Sequence, residues 1–162
     1  MKFERDLVAI VETNVDDTTG EILGRTLERL LEEGAYDATV SPYLGKKGRM
    51  GETVRVTCST DSSEKFAQLL VEETGTLGVK ITEVTRLIVP RTERTIPISI
   101  DGGNWNVRVK IADIHGRMRV KPETEDLKQI AKVKKIPIRE VMDLVSVAAR
   151  QYLSEKPAAP DK

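Results

Sequence analysis

The chain has 162 residues, which is long enough for one domain with an extension or for two small domains, each with a buried core. Its 26 basic and 26 acidic side chains balance, so no overall charge draws the protein to nucleic acid or to an anionic membrane, and any anion must be bound by a local group of residues. No apolar run approaches the roughly 20 residues that cross a bilayer, and the amino terminus lacks the apolar stretch of a signal peptide, so we expect a cytoplasmic protein with neither a membrane partner nor a nucleic-acid partner.

Strand and helix patterns alternate in the amino-terminal half. Continuous apolar runs and alternating β-branched residues predict four strands, over residues 7–13, 36–44, 52–60 and 79–89. Apolar residues at helical spacing predict two helices between them, over residues 22–31 and 61–73. We expect Asp17 or Thr18 to cap the first helix and Gly34 to end it.

The order strand, helix, strand, strand, helix, strand is that of the ferredoxin-like fold, a split βαββαβ unit in which two helices cover one face of an antiparallel sheet. In that fold the first and second strands run parallel through a right-handed crossover, and the third and fourth run the other way. The end of the first strand, the loop between the second and third strands, and the turn before the fourth strand should therefore meet at one edge of the sheet.

Beyond Pro90 the pattern predicts further, smaller structure. Alternating residues predict a β-hairpin of 95–100 with 105–111, a short strand at 118–121, and then a helix over 124–134. A last helix carries apolar positions at helical spacing, namely Val141, Leu144, Val145, Ala148 and Tyr152. The predicted fold class is thus α+β: a ferredoxin-like domain (1–90), a β-hairpin extension with a C-terminal helical pair (91–154), and a disordered tail (155–162).

Two adjacent carboxylates follow the first predicted strand, within the unusual segment 14–21. Asp16 and Asp17 could hold a hard divalent cation through oxygen ligands, as magnesium prefers. The alternative is that one of them only caps the first helix, and capping by one would leave the other available to a metal.

A basic, glycine-bounded loop, 46–51, joins the second and third predicted strands. Its cations, Lys46, Lys47 and Arg49, and its approachable backbone N–H groups around Gly48 favour phosphate oxygens. An ordinary hairpin with solvated cations is the alternative.

A third segment of unusual composition, residues 73–78, contains threonines and lies where the second helix should end. Thr74 and Thr76 could donate hydroxyl groups to an anion, although helix termination is the simpler interpretation and the segment is not a P-loop. Farther along the chain, Lys110 and Lys121 alternate with apolar residues and could reach the same edge, or they could belong to a solvated strand face.

Other kinds of catalytic site find little support in the sequence. His115 is the single histidine, and without a second soft donor it makes a poor nickel or zinc site. No Ser-His-Asp arrangement, paired CxxC motif or Rossmann glycine signature occurs, which disfavours ordinary hydrolase and redox functions.

Taken together, the motifs resemble the carboxyl-terminal region of the LarC family, the nickel insertion proteins that complete the nickel-pincer nucleotide cofactor of lactate racemase. Four motifs occur in the family's order within residues 6–150. The first comprises residues 12–17 and 19–21, and the second comprises residues 46–49 and Gly51. The third comprises residues 73–74, Thr76 and residues 78–79, and the fourth comprises residues 121–123 and 125–126. Family members usually carry a larger, histidine-rich amino-terminal region, which is not found here, so the chain looks like the separated carboxyl-terminal part.

The resemblance implies a CTP-dependent cyclometallase of the lyase class. Such an enzyme inserts Ni²⁺ into pyridinium-3,5-bisthiocarboxylic acid mononucleotide while CTP is cleaved to CMP and diphosphate. It also implies that this part binds CTP with Mn²⁺ or Mg²⁺ and forms a homo-oligomer, a trimer or hexamer. Handling of nickel would belong mainly to the amino-terminal LarC region.

The resemblance also assigns roles to residues. Asp16 and Asp17 would be the metal ligands, and the catalytic residues would be Lys46, Lys47 and Arg49. The nucleotide would be bound by Lys46, Lys47, Gly48, Arg49, Thr74, Thr76, Lys110 and Lys121. The chain departs from the family pattern at Thr18, at Gly75 and at Thr124, where an aromatic residue is common, so the nucleobase has no obvious stacking partner.

Two other classes of function compete with this one. A ferredoxin-like regulatory or oligomerisation module would need no catalytic activity. An RNA-binding sheet would need exposed aromatic residues, and the chain has few, with Phe 2, Tyr 3 and Trp 1. Trp105, beside a Gly-Gly turn, is better suited to packing or subunit contact than to stacking on a base.

Overall fold

A computed structural model describes residues 2–100 and 102–155. The chain forms two compact units: one spans Arg5–Ile88, and the other combines the chain from Val89 onward with the short segment through Glu4. The predicted tail lies outside the described residues except for Glu155, which ends the last helix. Within the described residues, no helix combines the length and the apolar character that crossing a bilayer requires.

The first unit is a four-stranded sheet with two helices. Its elements are β1 (Glu4–Val15), α1 (Gly20–Glu32), β2 (Asp37–Leu44), β3 (Met50–Ser59), α2 (Ser63–Thr74) and β4 (Lys80–Ile88). The strands lie in the order β2-β3-β1-β4, and β3 pairs antiparallel with both β1 and β2. This is the predicted ferredoxin-like arrangement, so the fold prediction is confirmed for this unit.

The core of this unit lies between the sheet and the helices. Alternate residues of β1 and β3 point to the helices, as the two-residue period of a strand requires. The buried core residues are Ala9, Val11, Val15, Leu23, Leu30, Val54, Val56, Cys58, Phe66, Leu69 and Leu70. Burial raises the pKa of the Cys58 thiol, which fits an inert core residue.

The amino-terminal cap of α1 differs from the prediction. Thr19 is the cap, and its side-chain oxygen accepts a hydrogen bond from the Ile22 N–H at 3.4 Å. The expectation that Asp17 or Thr18 caps the helix is wrong because β1 extends to Val15, and the chain bends before the helix begins. The carboxylate of Asp17 is consequently not used in capping.

The second unit is a three-stranded antiparallel sheet packed on two helices. Its elements are β5 (Thr92–Ile100), β6 (Gly103–Ile114), β7 (Arg117–Pro122), α3 (Thr124–Lys134) and α4 (Ile138–Glu155). The strands lie in the order β5-β6-β7, with antiparallel pairing throughout. The predicted hairpin, short strand and helical pair are all present, which confirms the α+β class.

The buried face of α4 includes only some of the apolar positions that recur at helical spacing in the sequence. Its buried residues recur at every fourth position, at Val141, Val145, Ala149 and Leu153. Leu144, one of the apolar positions at helical spacing in the sequence, is 38% exposed, because the helix carries two overlapping apolar stripes and the sheet covers the other one. The core of this unit also includes part of Trp105, in agreement with a packing role.

A glycine of β3 permits close packing beside the end of β1. A Cβ atom at Gly51 would lie 2.6 Å from the Val15 carbonyl oxygen and 2.7 Å from the ring of Tyr43. The Val15 carbonyl cannot easily move, because Val15 pairs with Glu52 in the sheet. Position 51 therefore requires glycine.

We expect Gly51→Ala to lower the free energy of unfolding by about 1–3 kcal/mol, as overpacking typically does. The control is Gly24→Ala, in α1, where a Cβ would meet nothing within 4 Å. It should raise the free energy of unfolding by about 0.5–1 kcal/mol, because alanine favours a helix. Urea unfolding followed by circular dichroism measures both. A Gly51→Ala protein as stable as the wild type would contradict the packing described here.

Candidate functional site

The three segments singled out from the sequence meet at one end of the four-stranded sheet. Arg49, in the loop after β2, lies 3.4 Å from the carboxylate of Asp16, just beyond β1. Thr18 donates a hydrogen bond to the carbonyl oxygen of Thr74, at the end of α2, over 3.4 Å. The strand order thus brings together residues that lie 33 and 56 positions apart in the sequence.

A cleft of about 610 Å³ opens at this end of the sheet. It is lined by Asn14, Asp16, Tyr43, Leu44, Gly45, Lys46, Lys47 and Arg49. Three of these side chains are cationic and one is anionic, so the cleft favours a negatively charged ligand although the whole chain is neutral.

The basic loop has a fixed and unusual backbone. It contains a single 3₁₀ turn, Lys46–Gly48, in which the Arg49 N–H donates to the Lys46 carbonyl oxygen at 3.4 Å. A hydrogen bond of 2.7 Å from the Gly45 N–H to the Arg49 carbonyl oxygen closes the loop around it. Lys47 has a φ of 62° and Gly48 a φ of 70°, both in the left-handed region. This conformation is unfavourable for lysine by roughly 1–3 kcal/mol, and such strain is concentrated at functional sites. The paired strands on either side hold the loop in it.

The two predicted metal ligands differ in their surroundings. Asp16 forms the exposed ion pair with Arg49, and exposed pairs of this kind contribute about 0–1 kcal/mol. Asp17 is exposed and has no ion-pair partner among the described residues. No group of three or more His, Cys, Asp or Glu side chains in the described part of the chain is arranged to hold a metal. Any divalent ion here would need further ligands from water or from a bound molecule.

The hydroxyl of Thr74 is directed into the protein. It donates to the Leu70 carbonyl oxygen at 2.6 Å and accepts from the Thr76 N–H at 3.3 Å. The next residue, Gly75, ends α2 with a φ of 72°. Thr74 therefore stabilises the end of the helix, which is the simpler of the two interpretations given to it from the sequence.

Thr76 is tied to a residue that the sequence reasoning missed. Thr13 is fully buried, and its hydroxyl hydrogen-bonds to the Gly78 carbonyl oxygen at 2.7 Å. Its oxygen lies 2.6 Å from the Thr76 hydroxyl, and either hydroxyl can be the donor in that contact, because the Thr76 hydroxyl is also 3.2 Å from the Gly78 carbonyl oxygen. The signal in the sequence was a hydroxyl residue on the otherwise apolar, helix-facing side of β1.

The other candidate residues, Lys110, Lys121 and His115, lie in the second unit. All residues that line the cleft belong to the first unit. Lys110 and Lys121 are directly opposite each other on β6 and β7. The Lys110 amine lies 2.5 Å from the carboxylate of Glu123. His115 is an exposed turn residue between the same strands, with a φ of 54°.

Glu12, which belongs to the first family motif, joins three strands of the first unit. Its carboxylate lies 2.8 Å from the Lys80 amine and 2.6 Å from the Arg55 guanidinium. Hydrogen bonds from Lys80 and Arg55 hold the pKa of Glu12 below its ordinary value of 4.5. Glu12 thus stabilises the sheet beside the site.

Comparison with known proteins assigns the chain to a family. The model of the nickel insertion protein family matches residues 1–142. A relative from Methanosarcina mazei, named for nickel insertion, is 39% identical over 152 residues, which are 92% of this chain and 38% of the relative. The chain thus spans well under half the length of that relative.

Two solved structures have the same fold. One is LarC2, the C-terminal domain of a cyclometallase involved in the synthesis of the NPN cofactor of lactate racemase. It is 31% identical, with a TM-score of 0.79, and the match covers 91% of this chain and all of that domain. The other is protein MK0293 from Methanopyrus kandleri, 29% identical, with a TM-score of 0.62 and 90% of both chains covered. The chain belongs to the nickel insertion protein family, which confirms the resemblance stated from the sequence.

We expect Glu12→Gln to make the stability of the protein less dependent on pH. The folded-state pKa of Glu12 is lowered, so its contribution is present above about pH 4.5 and is lost as the pH falls through the folded value. The variant should lose about 1 kcal/mol at pH 7 and progressively less toward pH 3.

Urea unfolding at several pH values measures this difference. Glu83→Gln is the control, because Glu83 is exposed on β4 and has no ion pair in the described part of the chain. A difference between the wild type and Glu12→Gln that does not change with pH would show that the ion pairs do not stabilise the fold.

Proposed function

We propose that this chain is the nucleotide-binding part of a CTP-dependent nickel cyclometallase, and that it binds CTP with Mn²⁺ or Mg²⁺ in the cleft at the end of the sheet. The observation that carries the proposal is the presence of Lys46, Lys47 and Arg49 beside Asp16 in one cleft. Membership of the nickel insertion family and the similarity to LarC2 support it.

In the whole protein, Ni²⁺ is a substrate. It is inserted into pyridinium-3,5-bisthiocarboxylic acid mononucleotide, and the amino-terminal LarC region supplies the nickel ligands. The oxygen-rich, cationic cleft supports this division, because it suits a chelated phosphate better than a soft metal. A cytoplasmic homo-oligomer, a trimer or hexamer, belongs to the same proposal.

Asp16 and Asp17 fit a hard divalent ion. Mg²⁺ and ions like it are usually held by one or two carboxylates, with substrate phosphates and water as the other ligands, and Asp16 and Asp17 offer two adjacent exposed carboxylates. When bound, such an ion offsets the negative charge of the phosphates. Asp16 would exchange its partner Arg49 for the ion. The free energy lost with this ion pair is small, because the pair is exposed.

The cations of the loop act on the phosphates. Breaking the bond between the α-phosphorus and its bridging oxygen, with water added to the phosphorus, gives CMP and diphosphate. Negative charge then builds up on the departing oxygen and is neutralised by Lys46, Lys47 and the released Arg49, while backbone N–H groups around Gly48 contact phosphate oxygens. The paired strands on either side and the Gly45–Arg49 hydrogen bond hold the backbone N–H groups of the loop beside the cleft.

In this proposal Thr74 and Thr76 position the turn and do not contact the nucleotide, although the resemblance implied such contacts. The hydroxyl hydrogens of Thr74 and Thr76 have acceptors within the protein, so these residues position the turn beside the cleft rather than donate to phosphate. The nucleotide contacts of Lys110 and Lys121 stay a prediction from the sequence.

We expect Lys47→Ala and Asp16→Asn each to weaken the binding of CTP in the presence of Mn²⁺ by about tenfold or more, since each removes a charge-assisted contact worth roughly 1.5–3 kcal/mol. Isothermal titration calorimetry measures the affinity. Asp16→Asn should also remove most of the dependence of CTP affinity on the concentration of Mn²⁺.

The controls make the same charge changes elsewhere. Lys132→Ala, in α3, and Glu83→Gln, on β4, alter exposed side chains that do not line the cleft. Both should bind CTP as the wild type does. No heat with CTP and Mn²⁺ for the wild type would instead favour a regulatory or oligomerisation module.

A further inference from the structure

One aromatic side chain, Tyr43, lines the cleft next to the basic loop. The chain has six aromatic residues, all within the described ranges, and the other five are not among the residues that line the cleft. Phe66 is buried in the core, and the ring of Tyr36 lies 5.0 Å from the guanidinium of Arg86. Tyr43 is therefore the single aromatic surface available to a ligand there.

The Tyr43 ring packs closely against two glycines. A Cβ atom at Gly45 would lie 2.8 Å from the Cε2 atom of the ring, and one at Gly51 would lie 2.7 Å from its Cε1 atom. The ring thus occupies space that side chains at both positions would fill. Its position is fixed by the backbone of the hairpin that carries the phosphate-suited loop.

The ring lies on the face of the sheet that the helices leave uncovered. Ala38 and Val40 of β2 pack against the core under the helices, so the alternation of the strand places Tyr43 on the opposite face. Tyr43 is half-buried, and part of its surface lines the cleft. A flat group that enters the cleft can stack on it.

A polar group suited to a base lies in the same cleft. The side-chain oxygen of Asn14 accepts a hydrogen bond from the Thr53 hydroxyl at 3.1 Å. With its oxygen so engaged, the Asn14 amide presents N–H donors to the cleft that it also lines. A carbonyl oxygen on the edge of a pyrimidine base is an acceptor of the matching kind.

We infer that Tyr43 is the surface on which the nucleobase stacks, and that the Asn14 amide donates to a carbonyl oxygen of that base. This inference rests on the proposed function and adds to it a base subsite beside the phosphate site. Since stacking tolerates any base, Tyr43 provides affinity and Asn14 provides the preference for a base with a suitably placed carbonyl.

The test compares two ligands that share the triphosphate and differ in the base. Calorimetry with Mn²⁺ would measure the affinities of CTP and of inorganic tripolyphosphate for the wild type, Tyr43→Leu, Tyr43→Phe and the control Tyr36→Leu. Tyr43→Leu should weaken CTP about tenfold, the loss typical for removal of one stacking aromatic, and leave tripolyphosphate unchanged. Tyr43→Phe and Tyr36→Leu should bind both ligands as the wild type does.

Each contrary result overturns a different statement. If Tyr43→Leu binds CTP as tightly as the wild type does, or loses CTP and tripolyphosphate equally, Tyr43 does not stack on the base, while the phosphate site stands. If the wild type binds neither ligand, the proposed function itself fails.

A measurement on the wild type keeps the inference testable even if Tyr43→Leu does not fold. The NMR signals of the Tyr43 ring protons should move upfield when CTP is added with Mg²⁺, because a stacked base shields them. Tripolyphosphate with Mg²⁺ should leave them in place. Ring signals that respond alike to both ligands would overturn the inference.

Discussion

The candidate site depends on one buried hydroxyl group, that of Thr13. It hydrogen-bonds to the carbonyl oxygen of Gly78 and to the hydroxyl of Thr76, and so fixes the end of β1 to the turn before β4. Because Thr13 is fully buried, loss of either partner would leave a polar group unsatisfied away from water, at a cost of roughly 1–3 kcal/mol. The same strand pairs with β3, which carries the basic loop. A single strand thereby sets the positions of the acids, the cations and the turn.

A bound polyphosphate with its metal ion could replace the ion pair between Asp16 and Arg49. Asp16 and Arg49 form an exposed pair, which gives little stability in water. A chelated polyphosphate offers a cation to the acid and oxygens to the guanidinium, so both groups gain stronger partners. The backbone of the loop and the ring of Tyr43 already lie at the cleft, so binding mainly orders the exposed lysine side chains.

The periodicity of apolar residues was sufficient to predict the fold and the meeting of the three segments, because strand order determines which ends share an edge. Features that depend on single hydrogen bonds were not predictable in this way. The helix α1 is capped by Thr19 and not by the predicted Asp17 or Thr18. The hydroxyls of Thr74 and Thr76 have acceptors within the protein that their sequence positions do not reveal. The Tyr43 ring packs against Gly45 and Gly51. These two glycines come close to the ring only because β2 pairs with β3. The helical spacing of Leu144 did not reveal that it is partly exposed, because α4 has two apolar stripes and the sheet packs against the other one.

The central claim is that acids and cations at this end of the sheet hold a chelated triphosphate. A crystal structure of the protein with Mn²⁺ and CTP, with the metal located by its anomalous scattering, tests it most directly. The account predicts one manganese peak within coordination distance of the Asp16 or Asp17 carboxylate, with triphosphate oxygens in contact with Lys47. Manganese and triphosphate bound outside this cleft, with Asp16 still paired to Arg49, would contradict it.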